Sequence, residues 1–102
     1  MILEHYPADK MKKEILSIVG KYLDLSQYKI FIFGSRVTGK GNDRSDIDVG
    51  IEGEIEVPSR IISKIKEDLE NIRTLYTIDF VDFKRVASDF REVALQSIEP
   101  IL

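Results

Sequence analysis

The chain has 102 residues, a length that allows one domain with a single modest core, so we expect residues 1–102 to form a single domain. With 15 basic and 18 acidic residues and a net charge of −3, it offers no broad positive field for a nucleic-acid backbone, and nucleic acid is not an expected partner. The absence of cysteine excludes disulfides and thiolate zinc sites, and the lack of any apolar run of signal-peptide or membrane-span length predicts a cytoplasmic protein with no membrane contact.

The first half of the chain predicts a helix followed by a buried strand. Apolar residues at helical spacing indicate an amphipathic helix from Ala8 to Leu23. The continuous apolar run from Tyr28 to Phe33 is too short for a helix and predicts a buried strand that ends at Gly34. A short helix is expected to begin at Ser35, and Lys40 to Arg44 is predicted to be a polar loop because it is rich in turn formers.

The segment Ser45 to Ile51 alternates polar and apolar residues, which predicts a strand with Asp46 and Asp48 on one face and Ile47, Val49 and Ile51 toward the core. Residues two apart on a strand are about 6.6 Å apart along its axis, so both carboxylates could reach shared divalent cations. Without a cation the two charges repel. A strand face of this kind favours Mg²⁺ or Mn²⁺ bound together with phosphates.

The second half continues the alternation of helices and strands. Pro58 and Ser59 are expected to begin a helix that runs to about Asn71, and the run Thr77 to Phe83 predicts a strand that carries a third aspartate, Asp79. Ser88 is predicted to cap a last helix. The residues expected to face inward from that helix are Phe90, Val93, Ala94 and Ile98.

One ordered set of residues carries a resemblance to a known family. The turn Gly34-Ser35, ten further residues, the pair Asp46-x-Asp48 and the later Asp79 resemble the motif of the nucleotidyltransferase superfamily that includes the DNA polymerase β palm, and within it the minimal nucleotidyltransferases. This resemblance implies an α/β (α+β) fold in which a small mixed sheet is flanked by helices. Periodicity alone leaves the topology open, but the resemblance places one phosphate against both the end of the first strand at Gly34 and the start of the second at Asp46, which favours an antiparallel pair there.

The resemblance also implies a role for each residue of the motif. In that family the Gly-Ser turn holds the nucleotide phosphates, the paired aspartates bind two metal ions, and the third aspartate completes one metal site and helps to activate the acceptor hydroxyl. Carried over by position, these roles fall on Gly34, Ser35, Asp46, Asp48 and Asp79. The expected cofactors are Mg²⁺ or Mn²⁺, with ATP as the nucleotide donor.

Three further residues, outside the metal-binding set, have expected roles of their own. Arg36 directly follows the Gly-Ser turn and is expected to be held near the phosphates. Asp82 lies in the same predicted strand as Asp79 but on the opposite face, so it is expected to be a strand-end or capping residue. His5 is the only histidine and is expected to be solvated in a terminal turn.

The function implied by the resemblance is transfer of a nucleoside monophosphate, AMP from ATP, to a hydroxyl group. Small stand-alone members of the family resemble the antitoxin of a toxin–antitoxin pair whose partner is a helical HEPN-type toxin. By that resemblance the acceptor is a tyrosine hydroxyl on the partner, and the two proteins form a hetero-oligomer.

Three alternative functions remain open from the sequence. One is a non-catalytic subunit that inhibits its partner by binding, and another is a small-molecule transferase of the antibiotic-modifying kind, which would need an added acceptor domain. The third is a P-loop enzyme, because Gly34 to Lys40 matches the pattern G-x-x-x-x-G-K. Gly41 then replaces the Ser or Thr that would hold Mg²⁺, which counts against that interpretation.

Overall fold

A computed structural model of the protein describes residues 1–39 and 45–102. The predicted loop from Lys40 to Arg44 lies outside the described residues, and so does the lysine of the P-loop alternative. The helices are α1 (Ala8–Gly20), α2 (Ser35–Thr38), α3 (Ser59–Glu70) and α4 (Ser88–Ala94). The strands are β1 (Lys29–Phe33), β2 (Ile47–Glu52), β3 (Ile78–Asp82) and β4 (Glu99–Pro100), and a 3₁₀ turn covers Leu25–Gln27.

The strands form one mixed sheet in the order β3-β2-β1-β4. β1 pairs antiparallel with β2 and places Phe33 opposite Asp48. β2 pairs parallel with β3 and places Asp48 opposite Asp79. The predicted mixed sheet and its antiparallel β1–β2 pair are therefore confirmed.

The main core fills the space between one face of the sheet and the helices α1 and α3. The alternation predicted for β2 is confirmed, since Ile47, Val49 and Ile51 are fully buried. Complete burial of a side chain of this size contributes roughly 1.5–3 kcal/mol, so this face fixes the register of β2. The helices add their own buried stripes, which are Met11, Ile15 and Val19 from α1 and Ile65 and Leu69 from α3.

Three phenylalanines form a second, smaller core on the opposite face of the sheet. The rings of Phe31 and Phe33 each meet the ring of Phe83 edge to face, with centroids 4.9 and 5.0 Å apart. Gly50 of β2 lies beneath them, and a Cβ added there would come within 2.7 Å of Phe31 Cζ and 2.8 Å of Phe83 Cε1. This face of β2 therefore accepts aromatic rings only because position 50 has no side chain.

The first helix ends earlier than predicted. α1 ends at Gly20, and the predicted extension to Leu23 is wrong. The amides of Tyr22 and Leu23 both donate to the Val19 carbonyl in a closing turn. The chain then enters the 3₁₀ turn, where the Asp24 side chain accepts from the Ser26 amide.

The prediction for the last helix is wrong in two respects. Ala87 and not Ser88 is the N-cap residue of α4, and the helix start has no side-chain capping hydrogen bond from it. Val93 is 67% exposed and does not face inward. Phe90 is 46% exposed, although its ring contacts those of Phe33 and Phe83 with centroids 6.2 and 6.0 Å apart, and Ala94 packs against the phenylalanine core as predicted. The helix has only seven residues, so its apolar positions do not complete a buried stripe.

The short strand β4 was not predicted, and it explains why α4 stops early. The chain turns back after α4 so that Glu99 and Pro100 lie beside Ile32 and Phe31 of β1. The Glu99 carboxylate forms ion pairs with Lys12 Nζ, at 2.6 Å, and with the terminal amine. Ile98 is 36% exposed in this arrangement and does not face inward as predicted.

Candidate active site

Two of the three predicted aspartates lie side by side at the end of the sheet where β2 and β3 begin. Asp48 and Asp79 are directly opposite each other on the parallel strands β2 and β3. Neighbouring strands are about 4.8 Å apart, and opposite residues point to the same face, so the two carboxylates share one patch of surface. Phe33 is opposite Asp48 on the other side, which places Gly34 next to the same patch.

Asp46 reaches this patch from outside the sheet. The strand predicted to begin at Ser45 begins two residues later, at Ile47, so Asp46 lies in the segment that leads into β2. The Ile47 amide donates to the Thr77 carbonyl at 2.9 Å, which starts the β2–β3 pairing immediately after Asp46. The Asp46 side chain is exposed, in contrast to the half-buried Asp48.

The electrostatics of the patch are unfavourable to three negative charges. Burial raises the pKa of Asp48 to about 6, and the charges of Asp79 and Asp46 and a hydrogen bond between the carboxyl groups of Asp48 and Asp79 add to the rise. Among the described residues, no lysine or arginine forms an ion pair with any of the three aspartates. A site of this charge favours the binding of a cation.

Gly34 is required by the geometry of the turn. Its φ of 78° and ψ of −153° lie in a region that only glycine occupies readily. A Cβ at this position would also overlap Oδ2 of Asp48. The backbone therefore passes directly beside the Asp48 carboxylate, and Ser35 follows as the first residue of α2.

Arg36 lies beside the segment that leads to Asp46. Its Nε and Nη2 donate to the Ser45 carbonyl at 3.1 and 2.6 Å. Its guanidinium carbon lies 4.8 Å from the centroid of the Tyr76 ring. Arg36, which the sequence analysis expected near the phosphates, therefore contacts Ser45 and Tyr76 in the structure.

Tyr76 is a residue of the site that the sequence did not reveal. It is 9% exposed, and its hydroxyl accepts from the amides of Glu4 and His5 at 3.1 and 3.2 Å. Its distant partners come from two separate parts of the chain, the N-terminal segment and Arg36, so no local spacing could have linked them. The exposure expected for His5 is confirmed.

Asp82 has the structural role that was expected of it. It is 5% exposed at the end of β3, where it accepts from the Val57 amide at 2.7 Å and the Lys84 amide at 2.9 Å. Asp79, by contrast, is exposed on the patch. It also borders a cavity of about 410 Å³ that lies along β3 and α3 and is lined in part by Tyr76 and Thr77.

The side chains at the patch are of the type that binds divalent cations, but they are not arranged around one point. Across residues 1–39 and 45–102, no group of three potential ligands is arranged to hold a metal ion. Asp48 and Asp79 are nevertheless in contact, and the charge of Asp46 acts on Asp48. Carboxylate oxygens are the ligands that Mg²⁺ and Mn²⁺ prefer, so the donor set suits these ions.

Comparison of the sequence with known proteins agrees with this geometry. The profile of the family described as "Polymerase beta, Nucleotidyltransferase" matches residues 11–102. A probable protein adenylyltransferase MntA from Haemophilus influenzae is 32% identical over 85 residues, which cover 81% of this chain and 75% of that protein. No helix among the described residues has the length and apolar character needed to cross a membrane.

Solved structures share the fold at low sequence identity. A crystal structure of a toxin–antitoxin with AMP-PNP superposes with a TM-score of 0.72 at 15% identity and covers 89% of this chain and 72% of that one. A mutant of the toxin–antitoxin MntA-HpeT superposes with a TM-score of 0.70 at 13% identity and covers 89% of this chain and 71% of that one. The mixed sheet with flanking helices is therefore a fold already seen in these proteins.

Proposed function

Because the chain belongs to the polymerase β nucleotidyltransferase family, we propose that it transfers AMP from ATP to a hydroxyl group and acts as the antitoxin of a toxin–antitoxin pair. One observation carries this proposal: Asp48 and Asp79 lie opposite each other on neighbouring strands, with the backbone of Gly34 against the Asp48 carboxylate. The turn at Gly34, which we propose binds phosphate, and a pair of acids therefore lie at one surface patch. This combination suits phosphoryl chemistry assisted by cations.

We propose that Asp46, Asp48 and Asp79 hold Mg²⁺ or Mn²⁺. When bound, such ions neutralise charge on the triphosphate and polarise the reacting oxygens. The raised pKa of Asp48 supports this assignment, because a nearby cation would offset both the burial and the repulsion that raise it. Gly34 and Ser35 are proposed to hold the phosphates, as the family resemblance implies.

Asp79 is proposed to face the acceptor. It is exposed, and it borders the cavity along β3, which leaves space for an incoming side chain beside the carboxylate. A carboxylate within hydrogen-bond reach of a hydroxyl can orient it and accept its proton. Of the three aspartates, Asp79 is therefore best placed to act on the attacking oxygen.

The proposed acceptor is a tyrosine hydroxyl on a HEPN-type toxin, with which the chain would form a hetero-oligomer. Two findings support a protein acceptor within a toxin–antitoxin pair. The relative from Haemophilus influenzae carries the name of a probable protein adenylyltransferase, and the similar solved structures are toxin–antitoxin complexes, one of them with AMP-PNP. The negative net charge of the chain also disfavours a nucleic-acid acceptor.

Mass spectrometry of the partner tests this proposal. The chain is incubated with ATP, Mg²⁺ and the protein encoded by the neighbouring gene, and we expect the partner to gain discrete mass increments of one AMP each. Asp48→Asn should prevent the gain, whereas Asp89→Asn, a matched loss of a carboxylate on the surface of α4, should not. If wild type neutralises the partner with no mass change, and Asp48→Asn does so equally well, the chain acts by binding alone.

A further inference from the structure

We propose that Arg36 and Tyr76 form a clamp that fixes the position of Asp46, and that Arg36 is therefore a positioning residue and not a phosphate ligand. The clamp consists of the Arg36 guanidinium, the Tyr76 ring and the Ser45 carbonyl. This inference rests on the proposed metal-binding role of Asp46. It gives Arg36 and Tyr76 a role in holding the segment that precedes β2.

Asp46 needs such a device because the sheet does not hold it. β2 begins at Ile47, so the backbone of Asp46 lies outside the ladder that fixes Asp48. Two contacts flank it instead. The Ser45 carbonyl accepts from Arg36, and the Ile47 amide donates to Thr77.

The geometry of the clamp requires arginine. Nε and Nη2 of one guanidinium both donate to the Ser45 carbonyl, and its central carbon lies over the Tyr76 ring, 4.8 Å from the ring centroid. A lysine ammonium has neither the fork that makes two directed hydrogen bonds from one rigid group nor the flat face that stacks on a ring. Substitution by lysine therefore keeps the charge and removes the clamp.

Tyr76 supplies a rigid support for the guanidinium. It is 9% exposed, and its hydroxyl accepts two amides of the N-terminal segment, from Glu4 and His5. These hydrogen bonds involve the hydroxyl, whereas the contact with the Arg36 guanidinium involves the ring. Removing each part of the side chain separately therefore distinguishes the two tasks.

The consequence concerns metal affinity. The three aspartates are not already converged on one point, so the site depends on how closely Asp46 is held toward Asp48. Mutation of a residue that orients a metal ligand without binding the metal itself typically lowers metal affinity by roughly 10–100-fold. Loss of the clamp should therefore weaken metal binding without removing any ligand.

Mn²⁺ titration of the full chain, followed by electron paramagnetic resonance of the free ion, tests the clamp. Arg36→Lys and Tyr76→Leu should each weaken Mn²⁺ binding by about tenfold. Tyr76→Phe, which keeps the ring, should bind Mn²⁺ as wild type does. Arg91→Lys, a matched change at the ion pair with Glu52, should also leave binding unchanged.

Hydrogen exchange of the Ile47 amide supplies a second measurement that needs no metal. It should quicken in Arg36→Lys while exchange at Val49 and Ile51 stays as in wild type, which shows that the sheet is intact. Wild-type Ile47 exchange together with wild-type Mn²⁺ affinity in Arg36→Lys would overturn the clamp. The same variant losing affinity for a non-hydrolysable ATP analogue, with Mn²⁺ affinity unchanged, would return Arg36 to the phosphates.

The proposed function fails in a different way from the clamp. If Asp46→Asn removes Mn²⁺ binding while Arg36→Lys changes neither Mn²⁺ binding nor Ile47 exchange, the metal site is upheld and the clamp is refuted. If wild type binds Mn²⁺ no better than Asp46→Asn does, the metal assignment itself is refuted, and the clamp's effect on metal affinity is refuted with it.

Discussion

Replacement of Asp48 by asparagine should stabilise the metal-free protein at neutral pH. Asp48 is half-buried beside two other carboxylates, and its pKa is raised to about 6 from an ordinary 3.8. Between these two pH values the folded protein binds a proton that the unfolded chain does not. Stability therefore falls as pH rises through this window, and above pH 6 the full cost of the charge is present.

The magnitude follows from the size of the pKa change. A rise from 3.8 to about 6 corresponds to about 3 kcal/mol at full value. Because Asp48 is only half-buried, solvent screening reduces the effect to about 1 kcal/mol. We therefore expect Asp48→Asn to raise the free energy of unfolding by about 1 kcal/mol at pH 7 and to leave it nearly unchanged below pH 4.

Urea denaturation in EDTA at both pH values measures this difference, with Asp89→Asn as the control for loss of a carboxylate. Added Mg²⁺ should stabilise wild type more than the variant, so the advantage of asparagine should shrink. An Asp48→Asn protein that is less stable than wild type at pH 7 in EDTA would refute the reasoning. It would mean that the carboxylate makes favourable contacts that outweigh its burial and the repulsion.

Three further substitutions are expected to destabilise the fold, and urea denaturation checks each of them. Gly34→Ala places a side chain in a backbone region reserved for glycine and against a carboxylate, which should cost about 2 kcal/mol or more. Asp82→Asn should cost about 1–3 kcal/mol, because one oxygen that accepts an amide, such as that of Val57, becomes a donor. Gly50→Ala should cost about 1–3 kcal/mol by overpacking against the ring of Phe31. A wild-type midpoint in any one of them would contradict the account of that position.

The sequence predicted the part of the fold that follows from local periodicity. The alternation in β2 identified Ile47, Val49 and Ile51 as core residues because period-two burial is a property of each strand by itself. The same alternation put Asp48 on the exposed face. The glycine after β1 was expected at a turn, and the structure adds the close approach to Asp48 that excludes any other residue.

The rest depends on contacts between distant parts of the chain. Arg36 and Tyr76 are 40 positions apart in the sequence, and nothing in either local segment indicates that the guanidinium lies over the ring. The helical spacing of Phe90 and Val93 predicted that α4 would bury both, but they are 46% and 67% exposed. Periodicity indicates that an apolar stripe exists and not that it is covered. Whether that stripe is covered depends on where the chain goes next, and here it turns back to form β4 beside β1.

The most direct test of the account follows the label from ATP. Two reactions with the partner protein and Mg²⁺ use ATP labelled at the α-phosphorus in one and at the γ-phosphorus in the other. Nucleotidyl transfer predicts that the α label moves to the partner and the γ label is released as pyrophosphate, with both events lost in Asp48→Asn. Transfer of the γ label to protein, or its release as inorganic phosphate with no α label on the partner, would contradict nucleotidyl transfer and favour kinase or P-loop chemistry.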